Sequence, residues 1–287
     1  MTSLDSRRAL AEHLTDFLNR AYRYPASRAL FRIAGGLPLR PDHITYLHTT
    51  IGVIGASFIA WGDRWAMVAA FFLLEIRMVL DCYDGVLARG KNLSSPRGRT
   101  IDELGDALSY VAICIGMTIH VARTRPDLPL SVVVALGVVV LIAGAMSGHA
   151  YDFYKRLLGT ALKDGRDAIA EELEQKEAIV RVGGAPWITR FGIWFDRWQI
   201  RLYAPTVAND DRAAAVIAAS DSFGMKVLVR VIGLLSWDNV LAFMSVAILL
   251  DRVLEIELLC LAYGVLMFIT ARFMLWRVIG KREVAAA

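Results

Sequence analysis

Apolar residues in this chain come in blocks long enough to cross a bilayer, and no other feature constrains its fold as much. Runs of roughly 18–24 residues, the length that spans about 30 Å of hydrocarbon, lie at about 44–61, 66–88, 102–122, 128–150, 231–250 and 253–276. Asp238 interrupts the fifth. Of the 287 residues, 56% are apolar and 21% charged, with a mean hydropathy of +0.47. An ordinary soluble domain has about 45–50% apolar and about 25% charged residues. A soluble enzyme, a disordered chain and a disulfide scaffold are therefore poor readings. Cys82, Cys114 and Cys260 all fall inside apolar blocks and read as small packing residues, not as bridges. The fold expected is an all-α integral membrane protein with six transmembrane helices.

Charge gives this arrangement an orientation. The connections after the first, third and fifth spans are short: Trp61–Arg64, Arg123–Asp127 and Asp251–Arg252. The other side receives the N-terminal segment, a loop with Arg89, Lys91, Arg97 and Arg99, the long segment 151–225, and a tail with Arg277, Lys281 and Arg282. By the positive-inside rule that side is cytoplasmic, with both termini on it; in a bacterium the membrane would be the inner (plasma) membrane. The net charge of +4 is not gathered on one basic face, so a nucleic-acid partner is not expected. Basic residues beside apolar segments suit membrane lipids with anionic headgroups instead.

Two further parts flank and interrupt the spans. Residues 1–42 form an N-terminal cytoplasmic segment with no signal-peptide pattern. Leu10–Phe31 is expected to be an interfacial helix with Leu14, Phe17, Leu18, Tyr22, Leu30 and Phe31 on its apolar side. Pro38 and Pro41 end it. The domain 43–287 carries the spans and a helical cytoplasmic insertion, 151–225, between spans four and five. In the insertion, 153–180 reads as a solvated helix. After Gly183, Gly184 and Pro186 an aromatic stripe follows at helical spacing: Trp187, Phe191, Trp194, Phe195, Trp198 and Leu202. That helix either packs on the protein's own cytoplasmic face or lies at the membrane interface with its tryptophans at headgroup depth.

The residues that carry chemistry sit where span two ends and span three begins. Asp81 and Asp84 are three apart, Asp102 and Asp106 four apart, so each pair shares a helix face. A short loop makes the two helices antiparallel neighbours, and four carboxylates converge at one membrane boundary. Each could be a solvated helix-end group, and Arg77, four residues before Asp81, could neutralise that one. Neither account covers all four. Such a cluster needs a cation, and hard divalent ions take oxygen ligands. Two ions about 3.5–4 Å apart would suit in-line displacement at phosphorus.

These residues also match a known pattern. Asp81-x2-Asp84-Gly85-x2-Ala88-Arg89-x8-Gly98-x3-Asp102-x3-Asp106 resembles the signature of the CDP-alcohol phosphotransferases, also called CDP-alcohol phosphatidyltransferases. Arg40-Pro41-Asp42-His43-Ile44-Thr45 is similar to the family's segment before span one, with Asp42 in place of the usual asparagine. The resemblance implies that a CDP-linked alcohol donates its substituted phosphate to an acceptor alcohol and CMP leaves. It implies two divalent cations, Mg²⁺ or Mn²⁺, on Asp81, Asp84, Asp102 and Asp106, with Asp106 as general base. It implies CDP binding by Gly85, Ala88, Arg89, Gly98 and Thr45, and a homodimer. Glycine lets backbone approach a nucleotide, Ala88 keeps the helix crossing narrow, and the forked guanidinium of Arg89 suits phosphate.

The signature leaves the substrates open. The donor is CDP-diacylglycerol with a small polar alcohol or alcohol phosphate as acceptor, or a CDP-headgroup of choline, ethanolamine or inositol type that gives to a lipid or to inositol phosphate. A phosphorylated acceptor needs further cations, and Arg99, Arg156, Arg230 and Arg272 are candidates. A metal-binding transporter is the reading from another class, disfavoured because the carboxylates gather at one boundary.

Overall fold

The structure, a computed structural model, describes residues 3–204, 212–234 and 236–279. Every regular element among them is a helix, as a chain in hydrocarbon must be if it is to satisfy its backbone within each segment. Five helical runs are long and apolar enough to cross a membrane: Pro41–Trp61, Pro96–Thr124, Leu130–Asp164, Phe223–Leu249 and Val253–Ile279. The protein is an integral membrane protein. The chain divides into two compact units. The first holds residues 1–17, 146–237 and 265–287; the second holds 18–145 and 238–264.

The second unit is built on three helices. Helix α3, Pro41–Trp61, starts on a proline at its first position, where a missing N–H costs nothing. It ends on Gly62, whose φ of 79° is a left-handed conformation that glycine adopts without strain. Helix α4, Arg64–Gly90, is capped by Asp63, which accepts the N–H of Ala66. Helix α5, Pro96–Thr124, is capped by Ser95, whose Oγ accepts the N–H of Gly98 at 3.0 Å. α3 packs against both others. Small residues allow the approach. A Cβ on Gly105 would sit 2.5 Å from Thr49 Oγ1, and one on Gly116 would run into the Ala56 carbonyl. Such backbone-close crossings are how helices associate where lipid removes the hydrophobic drive between them.

The N-terminal segment departs from expectation. It is not one helix over Leu10–Phe31 but three pieces: α1, Leu4–Glu12; a single π turn, Asn19–Arg23; and α2, Tyr24–Ala34. The reason is polar. Asn19, Arg23 and Ser27, four residues apart, are the buried face, while Phe17 and Tyr22 are exposed. Asn19 donates to the Asp238 carboxylate at 2.8 Å, Arg23 to the Asp238 carbonyl at 3.3 Å, and Ser27 to the Val79 carbonyl at 3.0 Å. Arg23 also lies 3.5 Å from Glu75, which accepts the Tyr22 hydroxyl. The segment thus pairs the charges that interrupt the apolar blocks.

Helix α6, Leu130–Asp164, runs 35 residues without a break, so the expected division between a span to 150 and a helix from 153 is absent. The break comes at Gly165, with φ 73°, before Asp167 caps α7, Ala168–Val182. Helix α8, Trp187–Tyr203, packs on α7. Lys176 and Asp196 join them through a 2.8 Å ion pair buried on both sides. Burial raises the Asp196 pKa, against the pull of Lys176. α9, Arg212–Ala219, follows, and Arg212 Nε reaches Asp167 at 2.7 Å. The fifth expected span falls in the run Phe223–Leu249, made up of α10, Phe223–Leu234, and α11, Trp237–Leu249. Asp238 sits in the first turn of α11, where the helix dipole favours a carboxylate. α12, Val253–Ile279, completes the chain. Lys281 and Arg282 of the basic tail lie outside the described residues.

Candidate active site

One face of α3 supplies the floor of the site. Thr45, His48 and Gly52 are three and four residues apart and all buried. Against them α4 brings Asp81 and Asp84, and α5 brings Asp102 and Asp106. Thr45 donates its hydroxyl to Asp84 at 2.9 Å. His48 Nε2 stands 3.3 Å from Asp84, 3.7 Å from Asp102 and 4.0 Å from Asp81. Arg77, one turn before Asp81 on α4, donates to Asp106 at 2.5 Å. Arg77, which the sequence left as a possible partner of Asp81, gives its hydrogen bond to Asp106 on α5, the last carboxylate of the motif.

The four aspartates are not equivalent. Asp81, Asp102, Asp106 and His48 each offer one ligand atom, and these atoms all lie within 4.8 Å of one another. Asp84 stands beside that group, held by Thr45. A divalent cation fits these donors. His48 is fully buried, yet neither ring nitrogen makes an aligned hydrogen bond, and Asp102 Oδ1 is likewise buried without one. Buried polar atoms are normally satisfied, and a set of orphaned donors aimed at one another is what a cation would satisfy. His48 is the residue that sequence reasoning missed. Its one signal is an ionisable side chain inside an apolar block, three residues after Thr45.

Beside the carboxylates lies a cavity of about 150 Å³. Its lining includes Thr45, Gly85, Ala88, Arg89 and Gly98, the five residues expected to bind CDP, together with Asp84 and Asp102 from the acidic group. Asp42, Ser94, Ser95 and Arg99 also face it. The glycines keep it open. A Cβ on Gly85 would stand 3.2 Å from Arg89 Nη1, and one on Gly98 would stand 3.2 Å from Ser95 Oγ and 3.8 Å from Asp42 Oδ1. Ala88 and Arg89 follow one turn after Gly85 on the same helix, so the guanidinium rises from the cavity wall.

The acceptor-site candidates divide. Arg99 is in the cavity wall of the second unit. Arg156, Arg230 and Arg272 belong to the first unit, where Arg156 pairs with Glu172 and Arg272 donates to the Leu202 carbonyl.

A family model described as CDP-alcohol phosphatidyltransferase matches residues 39–157. Over these residues the chain is similar to the CDP-alcohol phosphatidyltransferase family. The match takes in the whole acidic group, His48 and every residue of the cavity. Among curated proteins, a "Bifunctional IPC transferase and DIPP synthase" of Rubrobacter xylanophilus is 35% identical over 83 residues. That stretch is 28% of this chain and 18% of the relative, so the chain covers less than a fifth of that protein's length.

Proposed function

We propose that the protein is a membrane phosphotransferase of phospholipid biosynthesis, moving a substituted phosphate from a CDP-linked alcohol to an acceptor alcohol and releasing CMP. The supporting observation is that the cavity lined by the five CDP-binding candidates shares Asp84 and Asp102 with the acidic group. Asp81, Asp84, Asp102 and Asp106 would hold two divalent cations, Mg²⁺ or Mn²⁺, with His48 beside them. Ions held there would supply positive charge to the pyrophosphate and Lewis acidity at its phosphorus.

The chain's own residues do the rest. Arg89 binds the donor phosphates with its fork. Thr45 orients Asp84. Arg77 holds one oxygen of Asp106, leaving the other to take the acceptor's proton. The acceptor oxygen bonds to the phosphorus that carries the alcohol substituent, and the bridging P–O bond breaks with its electrons going to CMP. Arg99, in the cavity wall, supplies a cation for a phosphorylated acceptor. The homodimer is part of the same reading, and light scattering in detergent tests it.

The preferred donor is CDP-diacylglycerol, with a small polar alcohol or alcohol phosphate as acceptor. A second reading exchanges the donor for a CDP-headgroup of choline, ethanolamine or inositol type, with a lipid or inositol phosphate as acceptor. CMP release by purified protein, across a panel of CDP donors and alcohol acceptors with Mg²⁺ or Mn²⁺, decides. Release with one donor–acceptor pair is the expected result. No release with any pair, from folded protein, overturns the proposal.

A further inference from the structure

Helix α8 is turned inside out. A helix at a protein surface normally buries its apolar stripe and shows water its polar one. The buried residues of α8 are Thr189, Gly192, Asp196, Gln199 and Tyr203. Its outward face carries Trp187 and Trp194, 71% and 60% exposed, with Trp198, 36% exposed, at the edge, where its ring also stacks on Phe195. Arg190, Arg197 and Arg201 are exposed between them. Positions 187, 190, 194, 197, 198 and 201 form one stripe along 17 residues, about 25 Å of helix.

The polar inward face fixes this rotation. Asp196 accepts Lys176 Nζ at 2.8 Å, and both side chains are almost wholly buried. Turning the tryptophans inward would pull Asp196 out and strand Lys176 as a buried unpaired charge, which is strongly unfavourable. Two largely exposed tryptophans with a third at their edge are also a large apolar surface to leave to water.

The pattern selects the medium. Tryptophan rings favour the headgroup layer of a bilayer, apolar on one side and wet on the other. Arginines at every turn of the same face are complementary to lipid phosphate, and more so to anionic lipid. The unit that holds α8 also contains residues 146–164 of α6 and 265–279 of α12, parts of two runs long and apolar enough to cross a membrane. We infer that α8 lies along an anionic lipid surface, with Trp187, Trp194 and Trp198 at headgroup depth and Arg190, Arg197 and Arg201 on lipid phosphates.

The test uses the full-length protein in nanodiscs of mixed phosphatidylcholine and phosphatidylglycerol, with or without bromine on the acyl chains. The chain has seven tryptophans, so emission of the W187F/W194F/W198F variant is subtracted from that of the unchanged protein. The difference emission is expected to fall by about half or more with brominated lipid, as for rings at the interface, and to resist iodide in the water. In phosphatidylcholine alone the lipid quenching is expected to weaken. Quenching by iodide but not by bromine would place the stripe in water and overturn the inference. Protection from both would place it against protein, a second copy or another chain, and would overturn it equally. Equal bromine quenching in neutral lipid would overturn the anionic part. Should the triple variant fail to fold, W194F alone gives the same difference at the most central ring.

Discussion

At the residue scale the site separates binding from proton transfer. Asp106 is held through one oxygen by Arg77, which fixes the carboxylate while leaving its second oxygen for a proton. Asp106→Asn keeps the shape and loses the base. We expect donor affinity near that of the unchanged protein and turnover lower by about 10²-fold or more, the usual size of a general-base effect; calorimetry and CMP release on one purified variant separate the two. Arg89→Lys keeps the charge and loses the fork, so donor binding should weaken while metal binding is retained. His48 stands within 3.3–4.0 Å of three carboxylates. As a ligand or as a partner to ligands, its replacement by Phe should raise the divalent-ion concentration for half-maximal activity by about 10–100-fold. The aspartates were legible in the sequence because spacings of three and four put side chains on one helix face. His48 was not, because a lone histidine in an apolar run has no spacing partner; only the packing of α3 against two other helices gives it neighbours.

At the element scale the fold is governed by how it disposes of charge inside apolar helices. α4 carries Glu75, Arg77, Asp81 and Asp84, and each finds a place: Glu75 with Arg23 and Tyr22, Arg77 with Asp106, the aspartates at the site. Hydropathy alone could mark the length of the helices, which is why α3, α4, α5 and α12 begin and end close to expectation. It could not show that Asn19, Arg23 and Ser27 would be buried against α4 and Asp238, since that pairing joins residues over fifty or two hundred positions apart. It therefore favoured a lipid-facing N-terminal helix over a polar plug. Arg23→Ala leaves Glu75 and the Asp238 carbonyl without their buried cation. Removing one partner of a buried pair costs about 3–5 kcal/mol, so the thermal midpoint in detergent should drop by several degrees. Arg23→Met with Glu75→Met should restore most of the loss.

At the scale of the whole molecule the question is whether α4 crosses the membrane, because its charges exclude it from the five apolar runs. The contacts of the second unit bear on it. Along α3 and α5 the close approaches run in step: Thr45 with Gly105, Gly52 with Ser109, Ala56 with Gly116, Gly62 with His120. The two helices are parallel. Along α3 and α4 they run in opposition: Thr45 with Asp84, Gly52 with Arg77, Gly55 with Leu74. If α3 and α5 cross in the same direction, α4 must carry the chain back over the same distance, and its 27 residues reach about 40 Å. We propose six spans on this ground, with the acidic group and the basic loop Arg89–Arg99 at one end, the end that the positive-inside rule would place in the cytoplasm. A cysteine in place of Arg97 should then react with an impermeant maleimide only in inside-out vesicles. One in place of Asp127, beyond the other end of α5, should react only in right-side-out vesicles. Replacing the half-buried Cys82 by Ser keeps the background low, since Cys114 and Cys260 are buried. Labelling of both positions from one side would mean that α5 does not cross, and would remove the membrane boundary on which the placement of the site rests.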